Sequence, residues 1–183
     1  MLGFSIFLAA GTSAIADERL ARMAALYEDV CLKAFPDDKA VVDALTALGA
    51  KELSQAEVKV TMNDDPARGW SLPDGNGTVW LEFPPFHSCS VRWNSPDDYD
   101  LKPYRAIAAK YQAKRPGFSP MQPMEMDRGD IHIMAIGEAR QLPDKSAESM
   151  FIFRQHITNL QRRGAGETGV SLRFVHQFAP PEK

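Results

Sequence analysis

The sequence predicts an α+β domain, a largely antiparallel sheet of about six strands packed on helices in the order αα-βββ-α-βββ. Apolar residues at three-and-four spacing mark the helices, alternation of apolar and polar residues marks the strands, and the connections between consecutive strands are too short for parallel crossovers. A length of 183 residues with 44% apolar residues fits one such domain and enough buried surface to offset its ordering entropy.

Leu20, Met23, Ala24, Tyr27, Cys31 and Ala34 share one face of a first helix. Phe35-Pro36-Asp37-Asp38 stops it, and an aspartate caps a second helix over residues 39–48, with Val41, Val42, Leu45 and Leu48 inward and Gly49 as its breaker. The period then changes. Val58, Val60 and Met62 alternate with Glu57, Lys59 and Thr61, which predicts a half-buried strand. Residues 64–70 read as a loop and 73–77 as a hairpin turn. In the strand at 78–83, Val79, Leu81 and Phe83 face one side and Trp80 and Glu82 the other. Pro84-Pro85 breaks the ladder before a strand in which Cys89, Val91 and Trp93 share a face. Asp100 and Pro103 open a third helix, whose apolar face is Tyr104, Ile107, Ala108 and Tyr111 and whose stop is Arg115-Pro116-Gly117. A proline-rich bridge leads to strands near 124–136, 148–158 and 169–178, and the last residues, 180–183, are expected to fray.

Residues 1–16 carry no charged side chain, and Leu2, Phe4, Ile6, Phe7, Leu8, Ala9 and Ala10 form an apolar run of signal-peptide length. Ala14-Ile15-Ala16 fits a cleavage site, so a signal at 1–16 and a mature domain at 17–183 are expected, in the periplasm or secreted. No later stretch approaches transmembrane length, so no membrane insertion is expected once the signal is removed. In an exported protein, inward-facing Cys31 on a helix and Cys89 on a strand predict a disulfide pinning the two together. Cys31-x-x-x-Phe35-Pro36, Arg68-Gly69-Trp70 and Pro84-Pro85-Phe86-His87-x-Cys89-x-Val91-Arg92, read together, resemble a family of uncharacterised exported bacterial proteins over about half of the mature chain. That resemblance implies export and the cysteine pairing, and no activity.

A net charge of -3 and a pI near 5.8 leave no basic field for nucleic acid. The G-x-G-x-x-G match at 164–169 neither follows a strand nor opens a helix, so it reads as a hairpin loop and not as a dinucleotide fingerprint. His87, His132, His156 and His176 show no metal-ligand spacing, and His176 reads as a core histidine. No nucleophile elbow is present, and Asp37-Asp38, Asp64-Asp65 and Asp97-Asp98 read as caps and turns. No cofactor and no metal are therefore expected.

The strand phases place Lys59, Thr61, Trp80, Glu82, Ser90, Arg92, Arg154, His156, Ser171 and Arg173 on the non-core face of the sheet. Trp80, Arg92, Arg154, His156 and Arg173 form its candidate binding face, because arginine forks and indoles suit an anionic ligand or a partner protein. Asp65, Arg68 and Trp70 form a candidate contact loop if Trp70 is exposed, and a plug at the sheet end if it is buried. The expected function is an exported, disulfide-stapled, non-enzymatic binding protein of the cell envelope, its partner an unknown protein or small anionic ligand. Two alternatives stand beside it: an enzyme of unrecognised type using Arg92, Arg154 and His156 on one open face, and a purely structural envelope component.

Overall fold

The structure, a computed structural model, describes residues 12–62, 65–95, 99–164 and 170–181. Most of the apolar leader, one aspartate of the 64–65 pair, both of 97–98, most of the glycine-rich loop and the final two residues of the chain lie outside that set. Helix α1 (Thr12–Leu26) runs directly into a π-helical segment (Tyr27–Ala34), followed by α2 (Asp38–Ala47), β1 (Lys51–Glu52) and α3 (Gln55–Met62). Then come β2 (Ala67–Ser71), β3 (Gly77–Glu82), β4 (His87–Ser95), α4 (Lys102–Ala113), β5 (Ser119–Pro120) and β6 (Met124–Arg128). The chain closes with β7 (Ile131–Gln141), β8 (Ala147–Ile157), α5 (Leu160–Gly164) and β9 (Val170–Ala179).

The α+β class and the antiparallel sheet are as expected, but among the described residues the sheet has 9 strands, in the order β1-β2-β3-β4-β9-β8-β7-β5 with β6 also on β7. The difference from six has identifiable sources. Residues 55–62 are a helix, most of β2 falls in the expected 64–70 loop, the expected 124–136 strand falls within the β6–β7 hairpin turned at Gly129 (φ 63°), and β1 and β5 are two-residue edge pairings. The last strand, β9, lies between β4 and β8 and so joins the two halves of the chain.

One face of the sheet carries the main core. Leu20, Met23, Ala24, Tyr27 and Val30 pack there against Val79, Leu81, Val91, Trp93, Leu172 and Phe174, with Tyr104 and Ala108 of α4 alongside. The π winding turns Val30, Cys31 and Leu32 inward together, which the α-helical spacing of the sequence did not anticipate. Asp37 caps α2 as its sequence predicts, accepting from the Ala40 amide at 3.1 Å, but Leu48 lies beyond the helix and is exposed. Cys31 and Cys89 form the expected disulfide, fully buried, with Cα atoms 5.3 Å apart. Closing a loop of 58 residues restricts the unfolded chain by roughly 4 kcal/mol in the entropic account. No helix among the described residues is long and apolar enough to cross a membrane.

The second face is covered at one end by α3. Its Val58 and Met62, one turn apart, lie over Trp80, together with Leu53 and Ala67. Lys59 and Thr61 are therefore helical residues and do not belong to a sheet face. Further along, Arg92, Arg173, Phe151 and Phe153 occupy this second face, as the register pairs Arg92 with Arg173 and Arg173 with Phe153 show.

Candidate functional site

The register sorts the expected binding face into two groups. Trp80, Arg92 and Arg173 lie on the second face, whereas Arg154 pairs with Leu172 and His156 with Val170, in the phase of the core-side residues. Arg92, Arg154 and His156 therefore do not converge on one open face. Trp80 is only 2% exposed, and its indole nitrogen donates to the Thr78 hydroxyl at 2.8 Å. The other candidate surface is also closed. Asp65 sits just beyond α3, Arg68 makes a two-bond pair with Glu52 (2.7 and 2.9 Å) and stacks over Trp70, and Trp70 is buried in the main core. Trp70 thus takes the plug role.

Arg92 and Arg173 stand side by side and share one carboxylate, Glu82, which leaves one positive charge in excess. Arg92 also stacks over Trp80 at 5.1 Å, and Arg173 over Phe153 at 5.5 Å. Burial first, and the Arg173 charge second, push the Arg92 pKa down to about 9, so the guanidinium is still charged at neutral pH. Burial likewise lowers Arg173.

Strand β3 begins at Gly77, opposite Trp93, so Asn94 on β4 has β9 on one side and no β3 partner on the other. At this open corner residues of both faces reach one cavity of about 530 Å3. Arg19 of α1, Thr61 of α3, Thr78 and Trp80 of β3, Arg92 and Trp93 of β4, and Ser171 of β9 contribute to its walls. Gly77 keeps the corner tight: a Cβ there would meet the Arg92 carbonyl oxygen at 2.9 Å. Arg19 reaches across the hairpin turn and donates to Asn76 at 2.6 Å.

The electrostatics of this cavity are one-sided. Two guanidiniums line it and, among the described residues, no carboxylate does. Arg19 Nε, Arg92 Nε and Trp93 Nε1 are buried donors with no acceptor, and the neighbouring Ser90 hydroxyl on the second face is equally unpartnered. A buried donor left without an acceptor costs about 1–3 kcal/mol, so several at one corner call for oxygen acceptors. Sequence reasoning found Arg92 and Trp80 but missed Arg19 and Trp93. Arg19 reads as an ordinary exposed helix residue, and Trp93 as a core residue of its strand, until the end of β3 brings them together.

A second polar cluster lies inside the main core. Glu148, 1% exposed, accepts from Tyr111 Oη (2.5 Å), Arg140 Nε (2.5 Å) and His176 Nε2 (2.8 Å), while His176 Nδ1 faces the Cys31 carbonyl at 2.6 Å. Both ring nitrogens of His176 thus meet acceptors, and the ring ties β9 to the π segment beside the disulfide. Burial alone would raise the Glu148 pKa, but the bonds from His176, Tyr111 and Arg140 outweigh it and hold it at about 2. Burial, followed by the bond to Glu148, pushes the Tyr111 hydroxyl well above its usual range. The network thus holds Glu148 as a carboxylate and Tyr111 as a neutral phenol. Comparison of the chain with models of protein families found no match, and comparison with curated proteins found none.

Proposed function

We propose that this is an exported, disulfide-stapled, non-enzymatic binding protein, periplasmic or secreted, that takes a small anionic ligand at the corner cavity lined by Arg19 and Arg92. One observation carries the reading: a cavity with two guanidiniums and, among the described residues, no carboxylate and three donor nitrogens lacking acceptors. Carboxylate or phosphate oxygens would accept from those donors and neutralise the charge that Glu82 leaves over. The buried disulfide supports an oxidising compartment.

Thermal unfolding in inorganic phosphate, against sodium chloride of equal ionic strength, tests the binding. The expected result is a melting temperature that climbs with phosphate concentration, an effect lost in Arg19→Ala and Arg92→Met. Equal stabilisation by chloride, or in both variants, would refute it. Mass measurement of the protein recovered from its own host tests the compartment: a chain starting at Asp17 without free thiols is expected, and a full-length chain with reactive Cys31 and Cys89 contradicts export.

A further inference from the structure

We propose a second binding site, independent of the anion cavity, between α4 and the β7–β8 hairpin, which takes a small zwitterion with an apolar side chain. The cavity there has a volume of about 360 Å3, within the ~300–1,000 Å3 range of small-molecule sites. Its apolar walls come from Ala108 on α4 and from Ile136, Met150 and Ile152 on the sheet. The proline-rich bridge closes it on one side, held to β7 by the Met121 amide donating to the Gly137 carbonyl at 2.9 Å.

Two opposite charges line this cavity, and neither makes an ion pair within the described residues. Glu138, half-buried, is met only by the neutral side-chain amide of Gln112, with no cation in ion-pair contact. Arg105, one turn before Ala108 and two before Gln112, makes no ion pair among the described residues, and the Asp100 carboxylate, whose charge it feels, is held by Lys102. A partly desolvated carboxylate facing only an amide lacks the charge that would offset its lost hydration, and an ammonium group supplies it. A ligand bearing that ammonium alone would leave Arg105 opposing it, and one bearing only a carboxylate would be repelled by Glu138. A molecule carrying both, with an apolar body against Ile136, Met150 and Ile152, satisfies every wall. Free α-amino acids with unbranched or branched aliphatic side chains have this chemistry.

A matched set of probes separates the parts. L-norleucine carries both charges, n-hexanoate lacks the ammonium, and n-pentylamine lacks the carboxylate. Isothermal titration of the oxidised protein is expected to show saturable binding of norleucine, with each half-molecule at least tenfold weaker. Glu138→Gln is expected to weaken norleucine at least tenfold while leaving hexanoate no weaker, and Arg105→Ala to do the same with pentylamine as the unaffected probe. Arg105 is exposed, so its variant tests the site even where Glu138→Gln perturbs folding. No saturable heat with norleucine, hexanoate or pentylamine binding as tightly as norleucine, or norleucine affinity unchanged in both variants would overturn the proposal. Loss of the phosphate effect at Arg19 and Arg92 would not touch it.

Discussion

Glu148 is a buried carboxylate held well below its solution range. It sits in the core-facing phase of β8 with Met150 and Ile152, and only the three donors around it make that placement tolerable. Glu148→Gln keeps the shape but weakens the bonds from Arg140 and His176, so unfolding free energy should fall by about 1–3 kcal/mol, read by denaturant titration. The pH dependence follows from the lowered pKa. Because the folded-state value, about 2, lies below the ordinary glutamate value of 4.5, the stabilisation is complete above about 4.5 and is lost as pH falls through about 2. Acid titration of wild type should therefore show a loss of stability across that window that Glu148→Gln largely lacks; identical acid profiles would contradict the assignment. The sequence carried a signal here, since a charged residue in phase with Met150 and Ile152 has to find partners, but those partners come from α4, β7 and β9 and no local pattern names them. His176 was legible as a core histidine because Leu172 and Phe174 share its phase.

At the scale of elements, α3 shows how a short alternating run can mislead. Val58, Val60 and Met62 alternate, yet Ser54 and Glu57 form a reciprocal cap in which the Ser54 amide donates to Glu57 at 2.7 Å and the Glu57 amide to the Ser54 hydroxyl at 3.4 Å. The cap was readable in the sequence, and it outweighs an alternation that leaves Val60 85% exposed. Ser54→Ala should cost about 1 kcal/mol, and Val58→Ala should expose the Trp80 ring, red-shifting its fluorescence with the fold retained; an unchanged spectrum would contradict the packing of α3 on Trp80. The arginines teach a related lesson. Within β4 and within β8 the alternation was read correctly, but the phase of one strand relative to another depends on register, and the pairing of Arg154 with Leu172 turns Arg154 and His156 away from Arg92. Arg92 and Arg173 share Glu82, so Arg92→Met removes a like-charge contact while Glu82 keeps Arg173 as its partner, and the fold should be retained while the phosphate effect is abolished. A residue kept for structure alone would show the opposite pattern.

Across the whole molecule, the class, the three longer helices and the disulfide were legible because each rests on local periodicity or on cysteine phase. The insertion of β9 between β4 and β8, and the open corner where β3 ends, were not, because both arise from long-range pairing. The Cys31–Cys89 bond joins the π segment to the central strands, and the double serine variant should lose roughly 4 kcal/mol of stability, with a loss below about 1 kcal/mol contradicting its role as the staple of this fold. The same corner concentrates the unpartnered donors of Arg19, Arg92 and Trp93. The most direct test of the account is nitrogen-edited NMR of the Arg19 and Arg92 Nε–H and Trp93 Nε1–H signals during titration with inorganic phosphate at fixed ionic strength. The account predicts that these resonances move together and saturate on one binding curve while the Arg68 signal, already held by Glu52, stays still. Resonances that do not move, or that drift alike with chloride, would contradict an anion site at this corner.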